Sequence, residues 1–424
     1  MIITLSGDAR DVGKRVGKLN AEDIRKHVRE MTDGWRKRGL TDDQMRQRSE
    51  PFRRFADKFA PHWLDELHAI AAAADVDPDQ YTAFLAGKYR DLFFVEECTS
   101  FLAVGSATAD GATLFHKNRD NVARAQCLLR KKIAHSSAPF GFYGVGDTSD
   151  IGLMMMVNER GVAGSADVGG PAEDRPKGKG VMNPYILRLV AERAERCEDA
   201  LEIVQQCLRD GWYAGGSTVG TNWLFADRFG KGLRVAQNSY QEEHWFFEDT
   251  VALLAREETE GARLITDKKG RITLADMNAA ATHPSICFAT SVSALSVRID
   301  PDKPAELSSV WTALPAWSPY VPLLPAVDGV PKSIADGAFF EKAYELRRLD
   351  EQPDNPNTLM LPDAFVRARD KCQREIYAES AELERRIRAA SDDGKLDEAR
   401  QVATERMLSL CDKAMAFVQA GAGA

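Results

Sequence analysis

Cys98 begins a short β-prone run, Thr99-Ser100-Phe101-Leu102. Asp110-Gly111, a strong hairpin signal, follows it, and Ala112-Thr113-Leu114-Phe115-His116 then leads into Lys117-Asn118-Arg119-Asp120-Asn121. One thiol, one carboxylate, one amide and two cations on a single hairpin are the materials of nucleophilic acyl chemistry. The thiolate is the attacking form, a nearby cation favours it, and a carboxylate can hold a thiol or an ammonium in register. Antiparallel pairing through Asp110-Gly111 brings residues 117–120 back towards Cys98, because the two arms are of similar length. Taken singly, Cys98 reads as a buried structural cysteine and Asp120 as a turn residue. Their company favours chemistry.

The remaining cysteines, Cys127, Cys197, Cys207, Cys287, Cys372 and Cys411, are widely spaced and form no CxxC pair. The histidines show no HExxH or HxH spacing. Neither a disulfide framework nor a metal site is expected, and no cofactor is implied. The glycines between Gly164 and Gly180 lack the GxxxxGK[ST] spacing of a phosphate cradle and read as a loop edging the cleft. Lys and Arg number 56 against 64 Asp and Glu, a formal charge of −8, which disfavours nucleic-acid partners. Hydrophobic residues at 44% and charged residues at 28% describe an ordinary globular chain, which excludes wholesale disorder. Apolar runs stop short of the ~18 residues of a membrane span, and the opening residues lack the pattern of a signal peptide. A cytoplasmic protein with no membrane partner is the expectation; the oligomeric state is not readable.

At 424 residues the chain is nearly three times a typical ~150-residue domain. A short opening strand, Ile2-Ile3-Thr4-Leu5, precedes helical sequence at 11–38, at 41–59 with a break at Pro51, and again after Pro61 and after Asp77-Pro78. From Cys98 the texture becomes strand–turn pairs, interrupted by one long helix over 183–210 that Gly211 ends. Residues 363–416 read as a charged helical hairpin broken near Ser391-Asp392-Asp393-Gly394. Helices, then antiparallel strands, then helices make an α+β pattern.

Cys98-Thr99-Ser100, a glycine-containing turn and Lys117-Asn118-Arg119-Asp120 resemble the cysteine N-terminal nucleophile (Ntn) hydrolases. Within these the chain is most similar to the acyl-CoA:isopenicillin N acyltransferase family, with weaker similarity to bile-salt hydrolases and cysteine-type dipeptidases. Gly7-Asp8-Ala9-Arg10-Asp11-Val12-Gly13 and Glu66-Leu67-His68-Ala69-Ile70-Ala71 resemble that family's pro-segment. Asn158-Glu159-Arg160-Gly161-Val162-Ala163 and Asn222-Trp223-Leu224-Phe225-Ala226-Asp227 continue the resemblance, while Ser309-Val310-Trp311-Thr312-Ala313-Leu314-Pro315 and Tyr320-Val321-Pro322-Leu323 resemble the dipeptidase branch. The resemblance implies a four-layer αββα sandwich over 98–350, a helical pro-segment at 1–97 and a helical hairpin at 351–424. It implies autoproteolysis between Glu97 and Cys98, after which the new α-amino group serves as base for its own thiol. Small amides or short peptides are the implied substrates, with hydrolysis or acyl transfer through a Cys98 thioester. Asp120 matches the aspartate that orients nucleophile and amine, Lys117 a variable polar position, and Asn118 a brace for the turn; Arg119 stands among them. The family's oxyanion asparagine has no counterpart in Val251-Ala252-Leu253-Leu254-Ala255-Arg256, so Arg256, Asn158 and Asn222 are the candidate donors. Two alternatives stand beside this reading: a dipeptidase, motivated by the Trp311 to Leu323 stretch, and an unprocessed, non-catalytic protein of the same fold that binds a small ligand or partner.

Overall fold

The computed structural model describes residues 2–91, 98–121, 126–173, 180–215, 219–327, 332–335 and 337–423. Strand β1 (Ile2–Gly7) is followed by helices α1 (Ala9–Leu19), α2 (Ala21–Lys37), α3 (Asp42–Gln47), α4 (Glu50–Phe59), α5 (His62–Ala74) and α6 (Pro78–Asp91). Strands β2 (Cys98–Ala103), β3 (Thr113–Asp120), β4 (Gln126–Ile133), β5 (Phe142–Asp147), β6 (Met155–Asn158) and β7 (Val162–Ala172) come next. Helices α7 (Asn183–Arg193) and α8 (Cys197–Arg209) precede β8 (Val219–Asp227), β9 (Lys231–Gln237), β10 (Glu242–Glu248) and β11 (Val251–Leu253). Helices α9 (Glu260–Thr266) and α10 (Leu274–Thr282) lead to β12 (Ser291–Ile299). The one-turn helix α11 (Pro304–Leu307) then leads to β13 (Ser309–Ala313) and β14 (Val321–Leu323). Helices α12 (Lys332–Ala335), α13 (Ala338–Glu345), α14 (Asp363–Asp392) and α15 (Leu396–Gly423) close the chain.

The strands form two sheets, one of eight in the order β1-β4-β5-β6-β7-β8-β9-β10 and one of six in the order β11-β2-β3-β12-β13-β14. All described pairings are antiparallel except β1 with β4, which run parallel from Ile2↔Leu128 to Gly7↔Ile133. Leu128, Val145, Met155, Ala163 and Leu224 of the larger sheet share one core with Leu102, Phe115 and Val297 of the smaller, so the sheets pack face to face. The larger sheet's other face, with Leu129, Met156, Trp223 and Phe225, is buried under α1, α2, α4, α5, α7 and α8. Helices α9, α10, α14 and α15 contribute Ile265, Met277, Leu383 and Met407 to the core on the smaller sheet's side. Each fully buried aromatic or aliphatic side chain of these layers contributes about 1.5–3 kcal/mol.

The N-terminal segment shares its core with the rest of the chain. Helix α1 packs so closely on α5 that a Cβ at Gly13 or Gly17 would collide with the Glu66 or Ile70 carbonyl. Buried ion pairs tie the segment in: Glu66 of α5 meets Lys131 of β4 and Arg188 of α7, both at 2.5 Å. These two cations overcome burial, which alone would raise the Glu66 pKa, and hold it at about 2.

Three expectations about helices change. The single helix over 183–210 is two, because Asp199 Oδ2 accepts from the Glu195 and Arg196 amides and turns the chain between α7 and α8. The break in 41–59 falls at Arg48-Ser49, and Pro51 sits in the first turn of α4, where its missing N–H costs nothing. The loop read from Gly164 is strand as far as Ala172; residues 174–179 lie outside the described residues.

Candidate active site

Strand β2 pairs with β3 in the register Cys98↔Arg119, Thr99↔Asn118, Ser100↔Lys117. The connection between them passes through a short 3-10 turn at Gly105–Ala107 before Gly111, whose φ of 75° is the left-handed conformation expected of that glycine. Directly opposed residues point to one face and their Cβ atoms lie about 5 Å apart. Cys98, Ser100, Lys117 and Arg119 therefore share the face that looks at the larger sheet. Thr99, His116, Asn118 and Asp120 leave from the other face.

The inner face carries charge. Arg119 Nη1 donates to Asp147 Oδ1 and to Gln126 Oε1, each at 2.7 Å. Lys88, arriving from α6, places Nζ 2.6 Å from Asp147 Oδ2 and 3.2 Å from Asp150 Oδ2. Burial would raise the Asp147 pKa, but Arg119 and Lys88 hold it far below the carboxylate range. Lys117 Nζ lies 2.7 Å from Asp167 Oδ1 on β7 and donates to the Ala166 and Met154 carbonyls at 2.8 and 3.1 Å. Asn222 is the cross-strand partner of Asp167, and its Nδ2 donates to Gly169 O at 2.8 Å. Cys98 is buried, at 8% exposure, and shares this face with cations rather than with hydrocarbon alone.

The outer face is neutral apart from Asp120. His116 bonds Ser296 Oγ through Nδ1 at 2.6 Å and Asn118 Oδ1 through Nε2 at 2.9 Å. Asn118 Nδ2 donates to Ala281 O of α10 at 2.8 Å, so this side chain braces a helix and not the turn. Asp120 accepts a short hydrogen bond from Ser291 Oγ of β12. Its side chain thus departs from the face opposite to that of the thiol, while its backbone follows Arg119, the cross-strand partner of Cys98. The expectation that the whole run 117–120 surrounds the sulfur is corrected by the pleat: two of the four side chains share its face.

The candidate oxyanion donors separate as well. Asn158 donates to the Ala191 and Ala194 carbonyls at 3.2 and 2.7 Å and accepts from the Arg160 and Val162 amides, which saturates it. It also sits at the wrong end. Val162 pairs with Asp227, whose carbonyl accepts from Thr113 Oγ1, so Asn158 lies by the start of β3, roughly 20 Å of strand away from Asp120. Asn222 stands beside the Lys117–Asp167 pair. Arg256 follows β11, which pairs on β2 from Val251↔Ala103 to Leu253↔Phe101, with Leu254 N donating to Ser100 O at 2.9 Å before the chain bends away; its guanidinium donates to Ser285 O. It adopts a φ of 64°, with Cζ 3.6 Å from the Phe288 ring centroid. Glu97, the other side of the expected cleavage point, lies outside the described residues.

Five members of the cluster were not singled out from sequence: Lys88, Gln126, Asp147, Asp150 and Asp167. Asp167 carries a signal, since aspartate is depleted in strands and this one interrupts Val162-Ala163-Gly164-Ser165-Ala166. Among the described residues no group of three or more His, Cys, Asp or Glu is placed to hold a metal ion, and no helix is long and apolar enough to cross a membrane.

No protein-family model and no curated protein matches the chain. Among solved structures, a Caenorhabditis elegans N-acylethanolamine-hydrolyzing acid amidase ortholog is similar at 12% identity and a TM-score of 0.38, over 49% of this chain and 95% of that one. A mutant of the conjugated bile acid hydrolase from Clostridium perfringens is similar at 12% identity and 0.35, over 53% and 92%. Penicillin V acylase from Agrobacterium tumefaciens is similar at 10% identity and 0.37, over 54% and 86%. Likeness at this level establishes neither family nor activity.

Proposed function

We propose that this chain is a cysteine N-terminal nucleophile hydrolase that acts on a small amide or short peptide through a Cys98 thioester. One observation carries the reading: Cys98 heads an inner strand, on the face between two sheets, directly opposite Arg119. The two facing sheets, with helices on their outer sides, support the four-layer αββα reading of the fold.

The chemistry runs in two stages. The Cys98 sulfur attacks the Glu97 carbonyl carbon; an S–C bond forms, the C–N bond breaks and the nitrogen takes a proton. Water then cleaves this thioester, leaving the Glu97 carboxylate and a free Cys98 thiol. The liberated α-amino group, with an ordinary pKa near 8, draws the proton from the thiol in the second stage. In this proposal Asp120, the residue after the cross-strand partner of Cys98, holds that amine, while Arg119 and Lys117 favour the thiolate from its own face. Arg256, just past the end of β11, is the oxyanion donor of this proposal, and its loss costs about 10²–10³ in rate. The thiolate attacks the substrate amide carbon, an S–C bond forms, the C–N bond breaks and the leaving amine takes the proton held by the α-amino group. Water, or an amine in the transferase variant, then attacks the thioester carbon and the sulfur leaves as thiol. The Trp311 to Leu323 stretch that motivates the dipeptidase alternative builds β13 and β14, two strands beyond β3 at the far edge of the sheet.

Mass spectrometry and N-terminal sequencing of the purified protein test the proposal. Fragments covering 1–97 and 98–424, absent in Cys98→Ala, are the expected result. A wild-type chain that stays intact and is indistinguishable from Cys98→Ala overturns it in favour of the non-catalytic binder. Product partitioning with an added amine then separates transfer from hydrolysis.

A further inference from the structure

The loop that follows β5 is held by the N-terminal segment at four points. Thr148 Oγ1 donates to Asp23 Oδ2 of α2 at 2.6 Å, and His27 Nδ1 bonds Ser149 Oγ at 2.9 Å. Tyr81 of α6 donates to Ser149 O at 3.2 Å, and Lys88 of α6 reaches both Asp147 and Asp150. Lys88, Arg119 and Asp147 are all almost fully buried, so two cations and the carboxylates Asp147 and Asp150 balance in a space that water does not screen. Lys88 takes one Asp147 oxygen and Arg119 takes the other.

From this chain of contacts we infer that Lys88 is a positioning residue for Cys98, acting through Asp147 and Arg119, so that the N-terminal segment remains a working part of the site after cleavage. The inference rests on Cys98 being the nucleophile. With Lys88 present, the Asp147 carboxylate is shared between two cations, so it draws less on the charge that Arg119 presents to a thiolate on its own face. Without Lys88, Arg119 is left to balance the buried carboxylates, and its charge is withdrawn from the sulfur. Among the described residues, the other ionisable groups around Cys98 and its relay include Lys117 and Asp120 of β3, Asp167 of β7, Arg256 after β11, and Asp23, His27, Tyr81 and Tyr185 around the Asp147–Asp150 loop.

The test is the pH dependence of Cys98 alkylation by iodoacetamide, read by peptide mass spectrometry, in full-length wild type, Lys88→Met and Lys88→Arg. Partly buried Cys372 serves as the internal reference, while burial holds Cys207, Cys287 and Cys411 at about 12 and so unreactive. The expected result is a Cys98 midpoint about one pH unit higher in Lys88→Met, about tenfold slower alkylation at neutral pH, and recovery in Lys88→Arg. A purely structural lysine would lower the melting temperature and leave that midpoint in place, and this outcome overturns the inference. If Lys88→Met does not fold, Lys88→Met with Asp150→Asn removes one charge of each sign; Arg119 then meets Asp147 alone, and a smaller upward shift is still required of it. Alkylation is readable on an uncleaved chain, so failure of the hydrolase reading and failure of this inference give different results.

Discussion

Lys117 and Asn118 are neighbours in sequence, both fully buried, and held by opposite kinds of force. Lys117 faces the larger sheet, where its ammonium meets Asp167; Asn118 faces α10, where neutral groups satisfy it. The inner face of the β2–β3 hairpin therefore stores charge beside the thiol, and the outer face, up to Asp120, is a neutral hydrogen-bonded seat for a helix. Charge on the inner face is costly to bury, so each ion needs its partner. Groups on the outer face lose far less when one partner is removed.

Lys117→Met is the largest test of that contrast on stability. It strands the Asp167 carboxylate in the interior and is expected to cost about 3–5 kcal/mol in urea unfolding, most of it recovered in Lys117→Met with Asp167→Leu. An additive double variant would show that the two do not act as a pair.

His116 gives the next effect. Burial lowers its imidazole to about 3, against the opposing bond from Asn118, whereas the unfolded chain takes up that proton near 6.5. Stability from the neutral ring is thus present in full above about pH 6.5 and is lost as pH falls towards 3, by about 1.4 kcal/mol per unit within the window. His116→Gln should flatten the stability–pH curve across that range; an unchanged slope would place the acid sensitivity elsewhere. The Glu66 carboxylate, held at about 2, loses its contribution only below its ordinary pKa of 4.5, so the two phases overlap below that pH and His116 is read between 6.5 and 4.5.

Asn118→Ala is the smallest. Two broken outer-face hydrogen bonds should cost about 1–3 kcal/mol, with the rate of cleavage at Cys98 unchanged when read by mass spectrometry. A cleavage defect in this variant would erase the distinction between the faces.

Much of the hairpin is legible in sequence because Asp110-Gly111 and the arm lengths fix which residues meet. Which face each side chain takes is not legible, since every residue of β3 is buried and no polar–apolar alternation marks an inside. The helical tail and its break near Gly394 follow from composition and turn residues. By contrast, Asp147 and Lys88 join the site from distant elements, and nothing local to either residue announces a partner across two layers. The saturated Asn158 shows the converse: a good turn motif proved to be a turn. In Asn158-Glu159-Arg160-Gly161 the side chain closes its own backbone, a role the local sequence suffices to explain.

The parallel seam between β1 and β4 has a consequence for molecularity. In the proposed cleavage before Cys98, the strand at one border of the larger sheet would come to belong to a different polypeptide from its neighbour, and folding would become a second-order encounter. The two-chain product should then melt at a temperature that climbs with protein concentration, and strong dilution after denaturation should defeat its recovery, while the uncut Cys98→Ala chain refolds indifferent to both.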